Sequence, residues 1–307
     1  MIEILLATYN GEKYLKEQID SILNQSYKNW RLLIFDDASV DETCNIIKFY
    51  EEKHKGKIKF FRAVKNSKSS KKSFSKLLAF SRAEYLCLAD QDDVWEKDKL
   101  KYCFEYIKKI EEKNKYVPIL IHTDLFVVDE NLNVIARSMM KHQKLKSKEK
   151  SFRQLLVQNN ITGCTVLMNR KLAELCGEIP DGALMHDWWL GMVACAFGVV
   201  KFLNKSTVYY RQHNKNLVGA KAVFSFKYIL NRVFNVKDVK KSIKQTYVQC
   251  EEFLKTYEKM LTYENINILK KYLEIKDCKK LRKILKLVGG GFLKDGIFRK
   301  IGQIFYI

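Results

Sequence analysis

Apolar residues in the first third of the chain come in short runs that end abruptly in polar clusters. Ile2–Leu6 is such a run, broken by Thr8-Tyr9-Asn10-Gly11. Leu32–Phe35 ends in Asp36-Asp37-Ala38-Ser39, and Tyr85–Ala89 ends in Asp90-Gln91-Asp92-Asp93. Runs of this length, bounded by turn residues, predict strands buried on both faces. Lys57–Phe61 predicts one more. Between them the spacing changes to that of a helix: Tyr14, Leu15, Ile19, Ile22 and Leu23 share one helical face, a second helix follows Asp41 as N-cap to about Lys53, and a third covers Phe74–Ser81. Alternating strands and helices predict an α/β fold, a mainly parallel sheet with helices on both faces.

After Val117 the pattern turns β-rich, with Ile119–Thr123, Leu125–Val128, Thr165–Met168, Val199–Leu203 and Tyr209–His213. Beyond about Lys221 it becomes helical and basic. The expected division is therefore a catalytic region over 1–220, made of a nucleotide-binding half (1–117) and an acceptor half (118–220), followed by a basic helical region over 221–307.

Composition sharpens this. The 307 residues are 47% hydrophobic, as expected of a globular chain, yet carry a net charge of +21. That charge calls for a partner bearing fixed negative charge, unless the lysine excess reflects genome composition. The eight cysteines form no CxxC pair and several lie in apolar runs, which fits small core residues in a reducing, cytoplasmic compartment. No signal peptide is expected, and no stretch approaches the roughly 18 apolar residues of a membrane span. The last stretch mixes Lys279, Lys280, Arg282, Lys283, Lys286, Lys294, Arg299 and Lys300 with Ile284, Leu285, Leu287, Phe292, Leu293, Ile297 and Phe298 around Gly289-Gly290-Gly291. This composition suits either an amphipathic helix pair on an anionic membrane surface or an ordinary surface helix with a solvated basic face.

In parallel sheets ligands bind at the carboxyl ends of the strands. Polar clusters at three such ends, with carboxylates at two, read as a site. Asp90, Asp92 and Asp93 repel one another unless a cation lies between them, and hard oxygen donors suit Mg²⁺ or Mn²⁺ sharing its shell with substrate phosphates. Alternatively Asp93 caps the following helix, and a DxD tripeptide alone is weak.

The motifs taken together are more specific. Leu5-Leu6-Ala7-Thr8-Tyr9-Asn10-Gly11, Phe35-Asp36-Asp37-Ala38-Ser39-Val40-Asp41 and Ala89-Asp90-Gln91-Asp92-Asp93-Val94-Trp95 resemble, in order and spacing, the opening strand, the DDGSxD segment and the DxD segment of the family-2 inverting glycosyltransferases with the GT-A fold. Asn160-Ile161-Thr162-Gly163-Cys164-Thr165, Met185-His186-Asp187-Trp188-Trp189 and Tyr210–Ala220 extend the resemblance, over roughly residues 1–220, to bacterial rhamnosyltransferases of cell-wall and capsular polysaccharides.

The resemblance implies a nucleotide-diphospho-sugar donor (dTDP or UDP), with rhamnose as the leading sugar, and a divalent cation. It places Thr8 and Tyr9 against base and ribose and lets Asp37 accept the imide N–H of a pyrimidine. Asp92 becomes the leading metal ligand with Asp93, and Asp90 joins the ribose or metal waters. His213 completes the metal shell or touches the diphosphate, and Arg211 offers charge to the departing phosphates. Asp187 is the catalytic base, since an inverting transfer needs one carboxylate opposite the leaving group; it also stands where an N-cap would. Trp188 offers a face to a sugar acceptor or packs in the core, and Trp189 reads as core. The segment Asn66-Ser67-Lys68-Ser69-Ser70-Lys71-Lys72 lacks the glycine usual there, although Lys72 is still expected to reach the donor. The acceptor implied is a saccharide on a polyprenyl diphosphate, at the inner face of a bacterial membrane. A UDP-hexose or UDP-N-acetylhexosamine enzyme of the same fold is the alternative. A nucleic-acid-binding protein is disfavoured for want of any such motif, and a silent assembly scaffold by the intact Asp92 and Asp187.

Overall fold

The structure is a computed structural model, and it describes residues 1–145, 151–213 and 236–307. The first half runs β1 (Ile2–Thr8), α1 (Leu15–Leu23), β2 (Trp30–Asp36), α2 (Thr43–Lys53), β3 (Ile58–Arg62), α3 (Ser70–Phe80), β4 (Tyr85–Asp90), β5 (Val94–Trp95) and α4 (Lys99–Lys113). Then follow β6 (Ile119–Val128), β7 (Val134–Ala136), α5 (Met139–His142), α6 (Phe152–Leu155), β8 (Val166–Asn169), α7 (Arg170–Cys176), α8 (His186–Phe197) and β9 (Val199–Arg211). Four helices close the described chain: α9 (Val236–Tyr257), α10 (Tyr263–Leu273), α11 (Lys280–Gly289) and α12 (Ile297–Tyr306).

The strands form one sheet in the order β3-β2-β1-β4-β8-β6-β9-β5, with β7 on β6. β3, β2, β1 and β4 are mutually parallel, β8 is antiparallel to both β4 and β6, and β9 runs parallel to β6. The strand direction therefore switches at β8, between β4 and β6. Leu125–Val128 is not a separate strand: it continues β6, whose pairing with β9 slips register around Asp124.

The apolar runs are continuous because the sheet is covered on both sides. Successive side chains alternate faces. Ile2, Ile4, Leu6, Leu32, Ile34, Tyr85, Cys87 and Ala89 face α1, α2 and α4, while Leu5, Leu33, Phe35, Leu86 and Leu88 face α3, α7 and α8. The second layer continues into the C-terminal helices. Ile243, Tyr247, Cys250, Phe253 and Tyr257 recur along α9 at helical spacing, are all buried, and join Trp189 in one core. The last region is thus helical as expected, but it is packed on the catalytic half and is no appendage. The boundary near residue 220 lies outside the described residues. No helix among them is long and apolar enough to cross a membrane.

Candidate functional site

The strand-end loops at the top of β1, β2 and β4 are tied to each other. Ala38 adopts a positive φ of 61° to turn the chain out of β2. The Asn10 N–H donates to Ser39 Oγ (2.8 Å), Asn10 Oδ1 accepts the Val40 N–H (3.0 Å), and the Gly11 N–H donates to Thr43 Oγ1 (2.8 Å). Gln91, inside the acidic segment, clasps the Tyr9 backbone in both directions: its Oε1 accepts from Tyr9 N (2.8 Å) and its Nε2 donates to Tyr9 O (3.0 Å). A side chain on Gly11 would sit 2.4 Å from that Oε1, so only glycine admits the clasp.

These ties reassign several expected contacts. Thr8 is buried, and its hydroxyl donates to Asp36 Oδ2 (3.0 Å), so it braces the strand end. Tyr9 keeps its ring 47% exposed. Asp36 is fully buried and also accepts from Ser39 N (2.8 Å), the Ser39 hydroxyl and Cys44 Sγ (3.3 Å). Asp37 accepts three bonds from Ser67, two from its N–H (3.0 and 3.1 Å) and one from its hydroxyl (2.9 Å). A carboxylate offers about four acceptor positions, so one remains for a ligand. The glycine-free segment is therefore shaped by Asp37. At the start of α3, Lys72 pairs with Asp181 (3.3 Å), while Lys71 donates to the carbonyls of Asp181 and Ala183 (both 2.7 Å).

At the end of β4 the carboxylates diverge. Asp92 Oδ2 lies 2.9 Å from His213 Nε2, and both side chains stay partly exposed. Asp93, expected as a metal ligand, turns inward toward Asp90 and Cys164. It is completely buried, its Oδ1 faces the Arg211 N–H (3.4 Å), and its Oδ2 has no hydrogen-bond partner among the described residues. Ligand atoms of Asp90, Asp93 and Cys164 lie within 4.8 Å of one another. Burial, then the neighbouring Asp92 and Asp187, pushes Asp90 up to about 7, and burial with the same crowding raises Asp93 well above the carboxylate range. The Cys164 thiol is likewise raised by burial and by Asp93, so it is protonated and does not suit a hard cation. Crowded carboxylates with a partner-free buried oxygen fit a divalent cation: Asp90 and Asp93 are grouped, and the Asp92–His213 pair stays partly exposed.

Arg211 was expected on the donor phosphates, yet its guanidinium is 2% exposed. It donates to Asp92 O (3.0 Å), Glu130 O and Glu17 Oε2 (2.5 Å) and lies over the Tyr14 ring, which in turn meets His213 (centroids 5.1 Å). It fixes the Asp92 loop and the end of β9 rather than pointing at a ligand.

Asp187 stands in the first turn of α8, where Met185 is the N-cap. Its Oδ1 accepts from Trp188 N (2.6 Å), its Oδ2 from Gly163 N (3.1 Å), and the Asn159 amide also bonds to it. Burial outweighs these bonds and raises it to about 6. It faces Asp90 closely enough to raise that group. His186 stacks on Phe74 (centroids 3.9 Å) with both ring nitrogens unpartnered among the described residues, and burial holds it neutral, down at about 3. Gly163 makes room for it: a Cβ there would lie 2.7 Å from His186 Nε2. Trp188 donates its indole N–H to Leu155 O (2.6 Å) and is half-buried, while Trp189 is core as expected. Gln91 and Asn159 are contributors the sequence did not single out. Gln91 is hidden inside the acidic motif, and Asn159 is marked only by adjacency to Asn160.

A parallel half, a reversal at β8, and carboxylates gathered above β4 with a further one on α8 define a GT-A glycosyltransferase. The fold is similar to that of solved structures, among them Staphylococcus aureus TarS 1–349 in complex with UDP-GlcNAc (TM-score 0.58, 16% identity, 99% of this chain and 88% of that one). A mannosyltransferase from Pyrobaculum calidifontis with GDP-Man and Mn²⁺ is similar too (TM-score 0.57, 13% identity, 99% and 84%). Residues 3–176 match the model of Glycosyl transferase family 2, and the chain belongs to that family. Among curated relatives, the dTDP-rhamnosyl transferase RfbG of Shigella flexneri is 29% identical over 236 residues, covering 73% of this chain and 76% of the relative.

Proposed function

We propose that this glycosyltransferase moves one sugar, rhamnose from dTDP-rhamnose, with inversion, onto a saccharide carried by a polyprenyl diphosphate at the inner face of a bacterial membrane. The observation that carries the chemistry is Asp187: a buried carboxylate raised to about 6, held by Gly163, Trp188 and Asn159, and facing Asp90. A general base with that value is ionised at neutral pH and still basic enough to take a proton in the transition state. The acceptor hydroxyl attacks the anomeric carbon and passes its proton to Asp187. The bond from that carbon to the diphosphate oxygen breaks on the opposite face, and the nucleoside diphosphate leaves with the electron pair.

The nucleobase of the donor is held by Tyr9, which is 47% exposed and free to stack, and by the remaining acceptor position of Asp37, which takes the imide N–H shared by uracil and thymine. Asp90, Asp92 and His213 are the residues to hold Mn²⁺ or Mg²⁺, which when bound would offset charge on the leaving diphosphate. Lys72, half exposed on α3, contacts the donor, and the exposed part of Trp188 meets the acceptor. Rhamnose rests on the resemblance to the dTDP-rhamnosyl transferase. A UDP-N-acetylhexosamine donor is the competing reading, favoured by the likeness to the UDP-GlcNAc-bound structure. A panel of nucleotide sugars, assayed for Mn²⁺-dependent hydrolysis and thermal shift, decides between them. Preference for UDP-GlcNAc over dTDP-rhamnose sinks the rhamnose assignment, and no response to any nucleotide sugar sinks the donor site.

A further inference from the structure

The last two helices carry apolar residues on an outer face as well as toward the core. In α12 Ile304 and Tyr306 pack against the core beside the buried Gln303, which donates to Phe292 O (2.9 Å) and accepts from Lys294 N (2.8 Å). Ile297 (68% exposed), Phe298, Ile301 and Phe305 (63%) face outward. In α11 only Leu287 is buried, while Leu281 (78%), Leu285 (72%) and Val288 share the outer face. Lys280 Nζ lies 5.2 Å from the centre of the Phe305 ring, so the two outer faces adjoin. A soluble helix ordinarily turns its apolar stripe to the core, and contiguous exposed apolar surface marks an interaction site.

We infer that the joined outer faces of α11 and α12 seat the protein on an anionic lipid bilayer and hold the Asp187 side of the site toward it. The occupant follows from charge. Residues 279–307 contain eight lysines and arginines and one acid, Asp295, which is buried. Aliphatic and phenyl groups rimmed by lysine and arginine match acyl chains beneath anionic headgroups. A second copy would bring the same positive rim against itself, because a two-fold interface pairs like patches.

The mounting of this face links it to catalysis. The Asp295 N–H donates to Gln158 Oε1 (2.6 Å), and the next residue, Asn159, bonds to Asp187. The lipid-facing helices thus rest on the segment that positions the base, where an acceptor carried in the bilayer must present its hydroxyl. This last step rests on the proposed lipid-linked acceptor; the lipid surface itself does not.

The test uses the full chain. Vesicles of phosphatidylcholine alone, and with a third phosphatidylglycerol, are sedimented with the wild type, with L285D/I301D, and with K280Q/K283Q/K300Q. All five positions lie outside the catalytic machinery. The expected result is wild-type binding to the anionic vesicles only, weakened by salt. Binding should fall more than tenfold in L285D/I301D and lose most of its salt sensitivity in the triple variant. Melting temperature and nucleotide-sugar hydrolysis should stay unchanged. Equal binding of L285D/I301D and wild type overturns the inference. So does a wild-type dimer in light scattering that this variant converts to a monomer, which would make the face a contact between copies. Lipid binding without turnover of any lipid-linked acceptor leaves the surface standing and refutes the proposed acceptor instead.

Discussion

The carboxylates at the end of β2 and those at the end of β4 began as the same kind of signal, yet they have opposite surroundings. Asp36 and Asp37 are surrounded by donors from Thr8, Ser39, Cys44 and Ser67, every one of them supplied by the chain itself. Asp90, Asp93 and Asp187 crowd one another, and all are pushed toward protonation. The first pair builds loops. The second group stores electrostatic repulsion that a cation, a donor or a proton relieves, which is what a site for charged substrate needs.

Substitutions separate the two groups, beginning with the largest effect. Asp187→Asn should lower kcat by at least about a thousandfold, or about 4 kcal/mol of barrier, with donor affinity nearly unchanged. Turnover within tenfold of wild type would remove Asp187 as base. Asp36→Ala should cost about 3 kcal/mol of folding stability by stranding buried donors, read from urea unfolding. A loss below about 1 kcal/mol would mean that its bonds are not what holds the loops.

The pH response gives the next contrast. Asp187 is raised when folded, so its contribution is complete below the unfolded value near 4 and is lost as pH rises through about 6. The shift is worth about 3 kcal/mol. Stability should therefore decline across pH 4–6 while kcat climbs to a plateau above 6, and Asp187→Asn should flatten that part of the stability profile. An unaltered profile would contradict the buried ionisation. Asp92→Ala should reduce Mn²⁺-dependent donor binding about 10- to 100-fold, measured by calorimetry with and without the ion; equal affinity in both conditions would free Asp92 of that role. The smallest effect belongs to Ala38, held at a positive φ of 61°. Ala38→Gly should gain about 1 kcal/mol, seen as a higher melting temperature, because the left-handed conformation costs a Cβ about that much.

The linear chain announced the first half of the fold through runs such as Ile2–Leu6 and Tyr85–Ala89, since strands covered on both faces must be apolar throughout. It announced the site through polar clusters at strand ends, and Asp187 through its place before an apolar helix. Where individual side chains point was not legible there. Asp92 and Asp93 are neighbours, yet one meets His213 in partial solvent and the other is sealed under Arg211, because successive residues leave a strand end in different directions. Arg211 reads as a phosphate ligand until Glu17 and Glu130, remote in sequence, are seen to hold it. The basic tail likewise foretold amphipathic helices, but not that Gln303 would face inward and Phe305 outward. Periodicity determined the α/β layering, because burial imposes it locally, and the strand-end motifs carried the resemblance to the family. Packing between distant segments decided which carboxylates are satisfied, and so which of them are left for chemistry.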